Sequence, residues 1–324
     1  MHALICDTFG PIDNLTLKNL PSPAPGPKQV RIQVKAASVN YPDALIVQGL
    51  YQIKPRLPFS PGAEVAGVIQ AVGDSVKHLK VGDEVIAMTG YGGYAEECLA
   101  DANKTMLLPK GMDFETGAAL VLTYATSLHA LKDLGKLQPG ETLVVLGAAG
   151  GVGTAAIEIG KAMGARVIAA ASSAEKLALC REVGADETID YSSENLKDRI
   201  NALTEGLGAD VVYDPIGGSA TEAALRALNW HGRLLVVGFA TGEIPKVPLN
   251  LALLKERSII GVFWGESTHR DPKGHQANLM QLCAWFDEKR IQPRIDQRFA
   301  LSEAKTALHK IFNRQVKGKV VILP

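Results

Sequence analysis

The residues best placed to do chemistry in this chain of 324 lie in a glycine-rich turn. Gly147-Ala148-Ala149-Gly150-Gly151-Val152-Gly153 follows the apolar run Thr142-Leu143-Val144-Val145-Leu146. It opens into a segment with Val152, Ala155, Ala156, Ile159 and Met163 on one side. Strand, glycine turn and helix together seat a pyrophosphate, because backbone must approach the anion closely and the first N–H groups of a helix are free to donate to it. Aligned on the dinucleotide fingerprint G-x-G-x-x-G, Gly150 is the second glycine and Gly153 the third, while Ala148 takes the place of the first. Gly150, Gly151, Val152 and Gly153 are therefore the candidate phosphate-binding residues.

The type of dinucleotide depends on the end of the next strand. An NAD site places a carboxylate about 20 residues further on, against the ribose hydroxyls. Here that position is Ser172, in Ala171-Ser172-Ser173-Ala174-Glu175-Lys176, and it carries no acid to repel a 2′-phosphate. The replacement predicts NADPH rather than NADH, with Ser172, Ser173, Lys176 and Tyr191 around the phosphate. Taken singly, Ser173 reads equally well as a helix N-cap and Lys176 as a solvated lysine.

The elements that must position these residues come in two textures. Residues 1–122 are short β-branched runs punctuated by Gly and Pro, such as Val30–Val34, Glu64–Ile69 and Asp83–Ala87, which predicts a β-rich domain. From 123 to 264, apolar strands alternate with helices: 142–146, 166–170, 187–190, 210–213, 234–237 and 258–263. Near-continuous apolar strands separated by helices imply a parallel sheet covered on both faces, and six is the count of a complete dinucleotide fold. The fold class is α/β. The tail, 265–324, offers helices near 275–289 and 303–313 and a last strand, 318–323, that needs a sheet to join. Gly238 and Phe239 follow the fifth strand, where a cofactor lies at the carboxyl ends of such a sheet. Phe263-Trp264-Gly265 either flanks the nicotinamide or closes the sheet edge, and Phe263 and Gly265 are carried as candidates.

Bulk composition narrows the class. Hydrophobic residues make up 47% and charged residues 21%, with 34 basic against 34 acidic side chains. A balanced charge argues against nucleic acid or an anionic membrane as the partner. The start Met1-His2-Ala3-Leu4 shows no signal-peptide pattern, and no apolar run approaches the ~20 residues of a membrane helix. Four scattered cysteines, Cys6, Cys98, Cys180 and Cys283, without a CxxC pair, predict a reduced cytoplasmic protein.

Beyond the glycine turn, the stretches Ala36-Ala37-Ser38-Val39-Asn40-Tyr41-Pro42-Asp43, Gln48-Gly49-Leu50-Tyr51 and Pro61-Gly62-Ala63-Glu64-Val65-Ala66-Gly67 carry a resemblance over nearly the whole chain. The sequence resembles the zinc-independent branch of the medium-chain dehydrogenase/reductase superfamily, the NADPH:quinone oxidoreductases of ζ-crystallin type. The resemblance implies a GroES-like β-rich catalytic domain, 1–122 completed by 265–324, and a Rossmann doubly wound cofactor domain, 123–264, with the active site in the cleft between them. It implies a catalytic role for Asn40, as an amide donating to a substrate oxygen or holding a water. Thr126 matches the threonine near the nicotinamide. Tyr51 matches a cleft tyrosine that carries the proposed proton donor in related enoyl-thioester reductases. Asn40 alone also reads as a turn residue before Pro42, and Tyr51 as an ordinary half-buried tyrosine. A second family tyrosine is replaced by Leu45.

Zinc-dependent relatives carry Cys where this chain has Asn40 or Tyr41, and His-Glu where it has Ala63-Glu64, so no metal is expected and Glu64 is read as structural. Without a Lewis acid, an acceptor already activated by conjugation is the feasible substrate, and hydrogen-bond donors suffice to hold its developing oxyanion. The expected function is metal-independent transfer of hydride from NADPH to quinones or α,β-unsaturated carbonyls. An enoyl-thioester reductase is the alternative, favoured by Gln48-Gly49-Leu50-Tyr51. An NADPH-binding structural or RNA-binding protein with little turnover is the alternative of another class. The apolar last cofactor-domain strand, Ser258–Phe263, together with the relatives' use of this edge, predicts a homodimer.

Overall fold

The computed structural model describes residues 1–324. Two units divide the chain, residues 1–122 with 293–324 and residues 123–292.

In the first unit β1 (His2–Ile5) pairs antiparallel with β2 (Thr16–Asn19). There follow β3 (Gln29–Val39), α1 (Tyr41–Val47), β4 (Glu64–Val72), β5 (Glu84–Met88), β6 (Glu97–Asp101), β7 (Thr105–Leu107) and α2 (Phe114–Leu120). The first half of β3 alternates as a half-buried strand should: Val30, Ile32 and Val34 point into the core between Arg31, Gln33 and Lys35. It pairs antiparallel with both β4 and β6. Gly67 of β4 is obligatory, because a Cβ there would stand 2.0 Å from the Gln33 carbonyl oxygen.

The second unit opens on α3 (Thr126–Leu128), a single turn between π-helical stretches at Val121–Ala125 and His129–Leu134. It continues through β8 (Thr142–Leu146), α4 (Gly151–Ala162), β9 (Arg166–Ala171), α5 (Ala174–Glu182), β10 (Glu187–Asp190), α6 (Leu196–Leu203), β11 (Ala209–Asp214), α7 (Ser219–Arg226), β12 (Leu228–Val236), α8 (Asn250–Leu253), β13 (Ser258–Gly261), α9 (Trp264–Arg270) and α10 (Pro272–Asp287). The strands form one parallel sheet in the order β10-β9-β8-β11-β12-β13. The order reverses between β8 and β11, so the loops after these strands flank the topological switch point where such sheets bind ligands. Leu143 to Leu146 are all fully buried, as a parallel strand covered on both faces requires.

The chain finishes in the first unit with β14 (Ile295–Ala300), α11 (Ala304–Phe312) and β15 (Lys319–Leu323). As expected of a lone terminal strand, β15 joins the N-terminal sheet, antiparallel to β3 with Val320 opposite Val39. One expectation changes. Residues 265–292, placed above with the catalytic domain, belong to the second unit. Their anchors explain it: Lys132 Nζ donates to Asn278 Oδ1 at 2.9 Å, Asn278 Nδ2 donates to Asp133 at 2.7 Å, and the Gln292 N–H donates to Glu158 at 3.2 Å. No helix is long and apolar enough to cross a membrane.

Candidate active site

The glycine turn is folded as its sequence demands, with one reassignment. The fingerprint alignment puts its first glycine at Ala148, but the left-handed residue of the turn is Gly147, at φ 56°. A Cβ on Gly147 would lie 2.5 Å from Ile216 Cγ2, so the β8 and β11 loops touch at this point. Gly153 is needed for close packing: a Cβ there would meet the Gly147 oxygen at 2.5 Å and the Ala148 oxygen at 2.6 Å. Gly150 caps α4, and the space a Cβ would occupy on it holds only the Gly147 oxygen, 3.4 Å away. Backbone is thus left open at the helix N-terminus, with Gly151 and Val152 in the first turn. This arrangement fits a dinucleotide pyrophosphate.

At the ends of β9 and β10 the structure brings Ser172, Ser173, Lys176 and Tyr191 together. Ser173 is the N-cap of α5 and accepts from the Lys176 N–H at 3.3 Å. Lys176 Nζ donates to Ser172 Oγ at 3.4 Å, and the Tyr191 N–H donates to the Ala171 carbonyl at 3.1 Å. Ser173 therefore serves as cap, with Ser172 and Lys176 beside the end of β9 and Tyr191 partly buried against the core of the second unit.

Asp214, unsuspected from sequence, organises the loop after β11. One carboxylate oxygen accepts from the N–H groups of Ile216 and Gly217, both at 2.9 Å, and the other from Thr221 Oγ at 2.6 Å. Its carbonyl accepts from Val237 at 2.9 Å and Gly238 at 3.3 Å, tying down the loop that carries Phe239. The only advance signal was a carboxylate ending an apolar strand before Pro215-Ile216-Gly217-Gly218. Phe263 is exposed and caps α9, Gly265 lies in that helix with open space over its Cα, and Trp264 packs edge-on against His275 with ring centroids 5.6 Å apart. Thr126 is held by its neighbour: Ser127 Oγ bonds to the Tyr213 hydroxyl at 2.9 Å and donates to the Val152 carbonyl at 3.1 Å.

In the first unit, Asn40 and Tyr51 border a buried polar cluster. Asn40 caps α1, and its N–H donates to Asp43 Oδ2 at 2.8 Å, the same oxygen that accepts from the Tyr94 hydroxyl at 2.9 Å. Tyr94 reaches that carboxylate by lying across Gly62, where any Cβ would stand 2.5 Å from its ring. The amide of Asn40 is engaged on both sides. Oδ1 accepts from Lys319 Nζ at 2.6 Å, and Nδ2 donates to Ser38 Oγ at 3.3 Å and to the Glu64 carboxylate. An acceptor oxygen would have to take the place of Ser38 to receive this amide. Glu64 also accepts from the backbone of Val121 and Leu122, which fits its reading as structural. Lys319, another residue not anticipated from sequence, is 2% exposed and lies 3.8 Å from Glu64 Oε2.

Burial governs the protonation of this cluster. It pushes Asp43 up to about 6 against the hydrogen bonds from Asn40 and Tyr94, and it raises Glu64 against the attraction of Lys319. The same burial lowers Lys319, opposed by the two carboxylates. Tyr51 is half-buried. Desolvation first and the charge of Asp43 second raise its phenol, so it holds its proton as a donor.

A β-rich unit closed by the C-terminal strand and a six-stranded dinucleotide sheet with its glycine turn define a medium-chain dehydrogenase/reductase. Sequence comparison agrees: residues 26–113 match the alcohol dehydrogenase GroES-like domain and residues 151–282 the zinc-binding dehydrogenase domain. The chain belongs to the quinone oxidoreductase family of these enzymes. It is 38% identical to the quinone oxidoreductase-like protein 2 homolog of Nematostella vectensis, over 99% of this chain and 88% of that protein. It is 37% identical to the quinone oxidoreductase of Pseudomonas aeruginosa, over 98% and 97%. The crystal structure of Escherichia coli quinone oxidoreductase complexed with NADPH superposes with a TM-score of 0.94 at 27% identity, covering all of both chains.

Proposed function

We propose that the chain uses NADPH to reduce quinones and α,β-unsaturated carbonyls. The observation that carries the reading is the character of the side chains at the two sites. Beside the second-strand end lie Ser172, Lys176 and Tyr191, with no carboxylate at the ribose position, which suits a 2′-phosphate. In the first unit the groups are hydrogen-bond donors: the protonated phenol of Tyr51 and the amide of Asn40 backed by an ammonium. Donors suit a reduction, in which an oxyanion forms and a proton is taken up.

The glycine turn and α4 would hold the pyrophosphate, Ser172, Lys176 and Tyr191 the 2′-phosphate, and Gly238, Phe239, Phe263 and Gly265 the rest of the nucleotide, with Thr126 near the nicotinamide. When bound, NADPH supplies a hydride and leaves as NADP⁺. The chain's part is to orient the acceptor by its oxygen through Asn40 and to deliver one proton from Tyr51, so that a quinone gains a hydride and a proton and becomes a hydroquinone. A second acceptor class is favoured by one observation: Leu50 and Ile53, on the loop of Tyr51, are exposed apolar side chains that suit an acyl chain, as in an enoyl thioester.

Turnover with para-benzoquinone, phenanthrenequinone, a simple enone and crotonyl-CoA, with NADPH and NADH in parallel and with and without a chelator, tests the reading. NADPH-selective, chelator-insensitive reduction of the quinones or the enone is expected. Crotonyl-CoA as the preferred acceptor would assign the thioester reaction, and tight NADPH binding without turnover of any acceptor would sink the proposal in favour of a non-catalytic role. The protein is further proposed to be a cytoplasmic homodimer, on the buried free thiols of Cys6, Cys98 and Cys180 and the one-sided pairing of β13.

A further inference from the structure

Lys319 is the one basic residue in a cluster with two buried carboxylates, and so far it enters only as the partner of Asn40 Oδ1. Its shortest contact is the 2.6 Å bond to Asn40 Oδ1; Glu64 is further off at 3.8 Å and has backbone donors of its own at Val121 and Leu122. The register of β15 on β3, with Val320 opposite Val39, carries Lys319 up beside Asn40. An ammonium only donates, so Oδ1 must face it and Nδ2 must face the other way.

The geometry points to Lys319 as a positioning residue of the reductase reaction, a buried amine that fixes the Asn40 amide in one orientation and strengthens its N–H as a donor to the acceptor oxygen. The inference rests on the reading of Asn40 as the acceptor's partner. One Nδ2 hydrogen is taken by the Glu64 carboxylate; the other makes the 3.3 Å bond to the neutral Ser38 Oγ, and that is the one an acceptor oxygen displaces. Hydrogen bonds in series polarise one another in a low-dielectric interior, so the ammonium behind Oδ1 acts through the amide on whatever Nδ2 binds. Hydride arrival leaves negative charge on the acceptor oxygen, and a cation already in place at that moment costs no reorganisation. Buried ion pairs are poor stabilisers compared with apolar packing, so a Lys319–Glu64 pair alone gives little reason for an ammonium here.

The test is steady-state kinetics of the full-length enzyme as wild type, Lys319→Arg, Lys319→Met and the charge-neutral double variant Lys319→Met with Glu64→Gln, which keeps the measurement available if the single Met variant fails to fold. Acceptors are para-benzoquinone and a simple enone. Both Met variants should bind NADPH as wild type does and lose kcat, about tenfold with the quinone and about a hundredfold with the less electrophilic enone, which leans harder on charge stabilisation. Lys319→Arg should restore most of the loss. A folded Met variant with wild-type kcat on both acceptors, or with equal losses on both, would overturn the inference. A wild-type enzyme inactive on both acceptors would instead overturn the function proposed above, and this inference with it.

Discussion

Asp43 spends one carboxylate oxygen on two donors and still cannot escape the cost of burial, and that imbalance is measurable. In an unfolded chain it ionises near 3.8, in the fold near 6. Between those values the native state holds the extra proton, so stability present at acid pH is lost as the pH rises through the window, with a cost on the order of 3 kcal/mol by neutrality. Glu64, raised by burial too, adds to the same slope. Asp43→Asn keeps an oxygen for the Asn40 N–H and the Tyr94 hydroxyl without the charge. Its melting temperature should exceed wild type at neutral pH and converge with it near pH 4; a lower melting temperature at neutrality would contradict the burial argument. At the second site, Lys176→Ala should raise the KM for NADPH about tenfold and leave that for NADH unchanged, since only the 2′-phosphate is lost as a partner. Equal effects on both cofactors would place Lys176 elsewhere. Tyr51→Phe should lower kcat about a hundredfold with little change in KM, as loss of a general acid does. Asn40, Tyr51 and Thr126 were legible only through family motifs. Asp214 and Lys319 were not legible, because a carboxylate ending a strand and a lysine in a terminal strand have no local pattern; register and loop geometry give them their partners.

Among the elements, the parallel sheet was the most legible, since the runs at 142–146 and 187–190 coincide with β8 and β10, three others differ by one or two residues at their ends, and only β12 begins well before its expected run at 234–237. Continuous apolar strands announce themselves because both faces are buried. The π-helical stretches around Thr126 could not be foreseen: helix type there follows from how Ser127 meets Tyr213 and Val152, a tertiary matter. The tail was misplaced at 265–292 for a similar reason, as its hydrogen bonds to Lys132, Asp133 and Glu158 have no sequence signature. The glycine turn leads to a prediction at this scale. Gly153→Ala puts a methyl between two carbonyl oxygens of its own loop and should cost about 1–3 kcal/mol with loss of NADPH binding. Differential scanning fluorimetry with and without NADPH reads both effects, and a variant with wild-type melting and binding would show that the turn is not packed as described.

For the whole molecule, assembly and activity are the open consequences. The edge strand β13 pairs only with β12 and leaves Ile259 39% exposed, with Leu249 and Leu253 also exposed. Strand edges of this kind pair with another chain unless blocked. Light scattering at micromolar concentration should therefore report a dimer, and an Ile259→Lys variant a monomer; a wild-type monomer defeats the proposal. The central claim, a reductase that takes its hydride from NADPH for an electron-poor acceptor, is tested most directly by following nicotinamide oxidation by the purified protein with para-benzoquinone and a simple enone, NADPH against NADH. The account predicts turnover of at least one acceptor with a clear preference for NADPH. Cofactor binding without turnover of either, or a preference for NADH, would contradict it.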